Sequence, residues 1–304
     1  MIKLIQNRNL ILILAFVLGV FVSYPAFYLK DYAVYFLAFM MMMSLNVISM
    51  NELKDYKLIL KPIFISIILN YLVFGILILI LARIFYLPDD EMFKGFIFIV
   101  IAPPGAVIVP FTYLYGGNTR FSVWGVIGAS VFLLILFPAV LLITMGKSLN
   151  NGLIELIKIL LITIILPVVF SQFFNRSKYF QMISKYKSKI IDWSFFLIVY
   201  IVIGLNSDTF INHTEVLIKP AILLIIFLFG FGFLANVLMK KINIIYSERI
   251  SYLLMLFVKN NPFSAVVSLQ LAGKLAAIPS VALSVILLIY LILFPLIMGA
   301  KNKT

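Results

Sequence analysis

Pro103 to Gly117 reads PPGAVIVPFTYLYGG, and Asn260 to Gly273 reads NNPFSAVVSLQLAG. Each stretch falls in the middle of a long apolar segment. Proline has no N–H and clashes with the turn before it, so Pro103-Pro104-Gly105 interrupts a helix and frees carbonyls at mid-depth. In a bilayer such groups are tolerated only where protein or a water-lined cavity satisfies them. Either stretch alone reads as a simple kink. Together they read as a repeat, because Phe137-Pro138 follows Gly117 by twenty residues and Phe294-Pro295 follows Gly273 by twenty-one. In both copies a helix broken by Pro or Asn leads through a Gly-ended turn into a long helix ending in Phe-Pro. With five apolar segments per copy, an odd number, the second copy enters the membrane upside down. Inverted repeats with interruptions at matching positions point to a transporter's binding site.

Composition agrees with a lipid solvent. Of 304 residues, 64% are apolar and 12% charged, against about 45–50% and about 25% in soluble domains. The apolar residues recur in stretches of about 20, the length that crosses a hydrocarbon core about 30 Å thick. Spans are expected at 9–29, 32–50, 62–86, 93–115, 119–146, 153–174, 190–211, 216–238, 249–272 and 275–300. The fold class is therefore an all-α polytopic membrane protein with ten helices, one membrane domain over 1–304, and repeats over about 9–146 and 153–300. The segment Leu10–Leu29 is long enough to span and lacks a small-residue cleavage site, so no cleavable signal is expected.

The net charge of +13 marks topology rather than nucleic-acid binding, because the basic residues crowd the short loops. With the N-terminus inside, sixteen of the 24 lie on the cytoplasmic side and seven outside, where Asp89, Asp90 and Glu91 offset them. By the positive-inside rule both termini are cytoplasmic, in a multi-pass protein of the plasma membrane. The chain has no cysteine and one histidine, His213, which excludes disulfides, thiolate metal sites and a Ser-His pair. No Gly-rich phosphate loop or Gly-x-Ser-x-Gly is present, so no cofactor is expected. The run Met40–Met43 is read as filling and not as a metal site.

The remaining basic residue is Lys259, about ten residues into the ninth span. An ammonium there costs at least ~2.5–3.5 kcal/mol, and at about 15 Å from the span's start its stem cannot snorkel to water. No Asp or Glu lies at mid-span to pair with it; Glu155, Asp192 and Asp208 sit near span ends. Such a lysine is neutral, or compensated by carbonyls of broken helices, or waiting for an anion. Because its charge is costly, Lys259→Met is expected to fold, if anything more stably. Asn46, Asn70, Asn206, Asn236 and Gln270 are further amides within spans, each by itself read as helix-to-helix glue.

At the two broken helices the sequence resembles the bile acid:sodium symporter family. The resemblance covers nearly the whole chain: the Asn51-Glu52-Leu53-Lys54 loop, Lys61-Pro62 opening the third span, Pro103-Pro104-Gly105, Thr112-Tyr113-Leu114, Gly117-Asn118 and Asn260-Asn261. It implies two inverted five-helix repeats, with broken helices 4 and 9 crossing at the substrate and ion site. Spans 3–5 and 8–10 would form a core that moves against a panel of spans 1, 2, 6 and 7. Position by position, Asn70 and Ser122 match sodium ligands. Asn260-Asn261 matches the family's Gln-Asn pair, and Asn261 looks like its substrate-contacting amide. Four of the family's ligand positions hold Ile108, Val109, Val126 and Leu256, so three oxygen donors and a carboxylate are missing.

The resemblance and the residues together imply a secondary active transporter of a small or amphipathic organic anion, working by alternating access, without strict sodium dependence and not an enzyme. Substrate contacts are expected from Lys259, Asn260, Asn261, Pro104, Gly105 and Thr112. Ion coupling, to Na⁺ or H⁺, is expected from Asn70, Ser122, Asn260 and Lys259. The alternatives are an efflux carrier of the auxin-carrier type, a passive channel, or an intramembrane enzyme, for which one lysine without an acid or nucleophile is poor equipment.

Overall fold

The computed structural model describes residues 8–44, 56–105, 107–145, 161–162, 166–174, 183, 185–212 and 214–299. Asn46, Glu155, His213, half of the sixth expected span and both termini lie outside them. The described residues form helices joined by short turns, and the chain divides into two compact units, Met1–Ser49 with Leu134–Thr214 and Met50–Leu133 with Glu215–Thr304.

In the first unit, helix Arg8–Phe21 ends well before the boundary expected at residue 29, and helix Tyr24–Leu29 follows at once. The apolar segments on either side of the break differ in direction by 104°. The reason is Pro25, in the first turn of the new helix: its nitrogen cannot donate to Phe21, so the older helix stops. The amide of Ala26 turns to Ser23 O at 3.0 Å, and the Tyr200 hydroxyl donates to the released Val22 carbonyl at 2.7 Å. Ala15, Ala26, Ala33, Tyr200 and Ile201 form a buried cluster in this unit, its three alanines letting helix backbones approach.

In the second unit, two long helices each contain one π-turn at mid-length. Tyr56–Ile67 passes through Ile68–Val73 into Phe74–Phe85, and Thr214–Ile225 through Ile226–Phe231 into Gly232–Lys241. Two further segments are broken outright: Glu91–Ile101 from Ile108–Leu114, and Tyr246–Phe257 from Asn261–Ala272. Ala102 precedes Pro103 and takes ψ 143°, the extended conformation that a following proline imposes. Two long helices complete the set, Lys274–Met298 and the part up to Leu133 of Thr119–Met145, whose remainder belongs to the first unit. Both fit the spans expected at 119–146 and 275–300 and run on through the Phe-Pro of the repeat by two turns or less, because membrane helices tolerate an internal proline when neighbours satisfy the freed carbonyl.

Among the described residues, four helices have the length and hydropathy to cross a membrane without interruption: Ile59–Phe85, Thr119–Val140, Thr214–Lys241 and Lys274–Met298. Ile76, Ile80 and Ile84 are exposed along one face of the first, the stripe a lipid-facing helix presents. Helix Glu91–Ile101 lies so close to helix Lys274–Met298 that a Cβ on Gly95 would strike the Ala276 carbonyl and come within 2.9 Å of Pro279 Cγ.

Candidate functional site

The two breaks meet in the second unit. Gly105 N–H donates to Val258 O at 3.0 Å and Asn260 N–H to Pro103 O at 2.8 Å, which pairs Pro104 with Lys259 as a one-residue antiparallel bridge. This contact is made entirely by main chain. Gly105 permits it: a Cβ there would sit 3.0 Å from Lys259 O and from Val258 Cγ1.

Lys259 is buried, and its Nζ lies 2.7 Å from Asn70 O, 2.8 Å from Asn70 Oδ1, 2.8 Å from Val100 O and 3.1 Å from Ala102 O. Three of these are carbonyls that irregular backbone has released. Val100 would bond to the amide of residue 104, but Pro104 has none. Ala102 stands at the end of its half-helix. In an α-helix Asn70 O would take the Phe74 amide, but in the π-turn that amide points to Leu69 O and Tyr71 O. The Tyr71 and Phe74 rings lie 4.7 and 4.6 Å from Nζ, at cation–π range. An ammonium has three N–H donors and no acceptor, and here it faces four oxygens. A neutral amine would turn a lone pair towards one of them. The geometry therefore fits the charged form, and none of the four oxygens belongs to a carboxylate.

The other expected residues fall around this centre. Asn70 is buried, accepts from Lys259 and donates through Nδ2 to Met255 O at 3.0 Å, near the end of the helix Tyr246–Phe257. Asn260 caps the second half-helix, its Oδ1 accepting from Phe263 N at 3.2 Å. Asn261 is buried with Oδ1 lacking a hydrogen-bond partner; an orphaned acceptor costs about 1–3 kcal/mol, which a ligand donor would recover. Thr112 and Ser122 are both fully buried and bond to each other, hydroxyl to hydroxyl, at 2.8 Å. They tie Ile108–Leu114 to the next helix, away from the ammonium's own contacts.

Ile108, Val109, Val126 and Leu256 are all buried apolar side chains. These four side chains offer no oxygen to a cation; of the two matching positions that carry one, Asn70 accepts from Lys259 through Oδ1 and Ser122 bonds Thr112. Sequence reasoning missed Val100, Ala102, Tyr71 and Phe74. Only Val100 had a sequence signal, the missing amide of Pro104 four residues on.

A family model described as the sodium bile acid symporter family matches residues 34–213, more than half of the chain. It covers Asn70, the first broken helix and Ser122, and ends before Lys259. No curated protein matches the chain.

Proposed function

Taking as premise that the chain belongs to the sodium bile acid symporter family, we propose that it is a secondary transporter of a small or amphipathic organic anion that does not require Na⁺. The carrying observation is the buried Lys259 ammonium, held by four oxygens of which none is a carboxylate. Its charge is solvated but not cancelled, so at low dielectric it draws an anion towards the crossing. Its N–H groups are taken up by protein, so the anion is attracted through space, and a hydroxyl or other donor elsewhere on the same ligand would bond Asn261 Oδ1, which has no partner. The π-turns 68–73 and 226–231 lie 158 residues apart and the bridged breaks at Pro104 and Lys259 lie 155 apart, so both recur at nearly the same spacing along the chain. This recurrence supports ten spans as two inverted repeats, with both termini cytoplasmic as the basic loops direct. The core of spans 3–5 and 8–10 would then alternate access against spans 1, 2, 6 and 7.

The test begins with melting curves of the purified protein against carboxylates and sulfonates of graded size, since a ligand of the folded state alone raises stability. An anion found this way is then followed into proteoliposomes. Replacing Na⁺ by K⁺ or choline should leave uptake within about twofold, because no coupling free energy is expected between Na⁺ and the anion. Strict dependence on Na⁺ would defeat the sodium-independent reading, and binding of cations in preference to anions would defeat the substrate class.

A further inference from the structure

We infer that Lys259 is the tethered occupant of a built cation site whose ligand class is a small primary alkylammonium, and that the site persists when the lysine side chain is cut away. Four oxygens surround the ammonium at 2.7–3.1 Å. Three of them are main-chain carbonyls placed by Pro104, by a helix end and by a π-turn, so their position does not depend on the lysine's own side chain. The Asn70 amide is held from its other side by Met255 O. Below the oxygens the Tyr71 and Phe74 rings lie within 4.7 Å of Nζ, and Tyr71 is fixed by its hydroxyl donating to Ala129 O at 2.7 Å. The pocket left by a shorter residue would thus be apolar along the stem and oxygen-lined at its end. That is the shape of an alkylammonium more than of a bare metal ion, which would meet rings where it needs ligands. Lysine and alanine differ beyond Cβ by a propyl-ammonium unit, so n-propylammonium is the matching ligand.

This inference rests on the functional reading only in placing Lys259 in a membrane protein, and its test needs no substrate. Wild type, Lys259→Ala and Lys259→Met, each as full chain in detergent, are melted in chloride salts of n-propylammonium, K⁺, Na⁺ and tetramethylammonium. Wild type should melt alike in all four, its site being filled. Lys259→Met, whose side chain fills the stem channel, should also be indifferent. Lys259→Ala should melt lower in tetramethylammonium and rise by about 3 °C or more as n-propylammonium saturates. Adding Asn70→Leu to Lys259→Ala should abolish that rise. If Lys259→Ala is not recovered in tetramethylammonium, purification in n-propylammonium decides: recovery there supports the site, and recovery in neither salt overturns it. A Lys259→Ala protein that melts alike in every salt, or gains more from Na⁺ than from n-propylammonium, also overturns it. Failure to find any transported anion would sink the functional reading and leave this result standing.

Discussion

Lys259→Met is expected to lose transport by about tenfold or more, the equivalent of about 1.4 kcal/mol or more of interaction with the anion, and to be less stable than wild type. From the sequence alone the second half of that expectation has the opposite sign, since a buried ammonium is costly and methionine is not. The structure reverses it. Removing the ammonium leaves Val100 O, Ala102 O, Asn70 O and Asn70 Oδ1 without the donor they share, and hydrogen bonds to a charged group contribute about 1.5–3 kcal/mol each. Three such bonds, one for each N–H, set against the ~2.5–3.5 kcal/mol cost of burying the charge, leave a net loss of about 1–6 kcal/mol. Lys259→Arg should also be impaired, because a planar guanidinium cannot point compactly into a cradle built for a point charge. Melting curves and vesicle uptake on the same preparations check both halves. Wild-type uptake by Lys259→Met would reduce the lysine to a passenger.

Gly95→Ala is expected to be as damaging, although Gly95 touches nothing in the cradle. Its added Cβ would strike the Ala276 carbonyl, a backbone atom, and Pro279, a ring that cannot rotate away. Helix Glu91–Ile101 must then move off helix Lys274–Met298, carrying Val100 and Ala102 with it. Overpacking of this kind costs about 1–3 kcal/mol and occasionally more, and a drop in melting temperature of about 4 °C or more should accompany lost uptake. Gly230→Ala is the control, since nothing lies within 4 Å of a Cβ there. A Gly95→Ala protein that melts with Gly230→Ala would show that the two helices have room to part.

The breaks were legible because proline announces itself. Pro103-Pro104 and Asn260-Asn261-Pro262 marked both interruptions, and depth alone singled out Lys259. What the sequence could not display were the partners. Carbonyls carry no residue signature of their own, so Asn70 O and Ala102 O became visible only when the backbone was seen to release them, and Val100 O alone could be inferred, from Pro104 four residues on. The π-turn at Ile68–Val73 contains neither glycine nor proline, and nothing in its apolar run distinguishes it from regular helix. The early turn at Val22-Ser23 was within reach, since Pro25 stands in the first turn of the helix that follows, but the unbroken apolar run on both sides concealed it. At Pro138 and Pro295 proline is merely accommodated, and there the expected spans 119–146 and 275–300 agree with the helices Thr119–Met145 and Lys274–Met298.

A cation bonded into the polypeptide cannot be delivered to the far side of the membrane. A carrier that moves sodium with its anion can cancel or exceed the anion's charge, and the inward sodium gradient then pulls both into the cell. If Lys259 takes the place of the coupling ion, as proposed above, the net charge moved per cycle would be that of the anion alone. Under an inside-negative potential each elementary charge is worth about 2.3 kcal/mol per 100 mV, and for a monovalent anion that energy points outward. On the proposed reading, a lysine in place of a travelling ion would turn the membrane voltage from an obstacle overcome by sodium into the driving force for release.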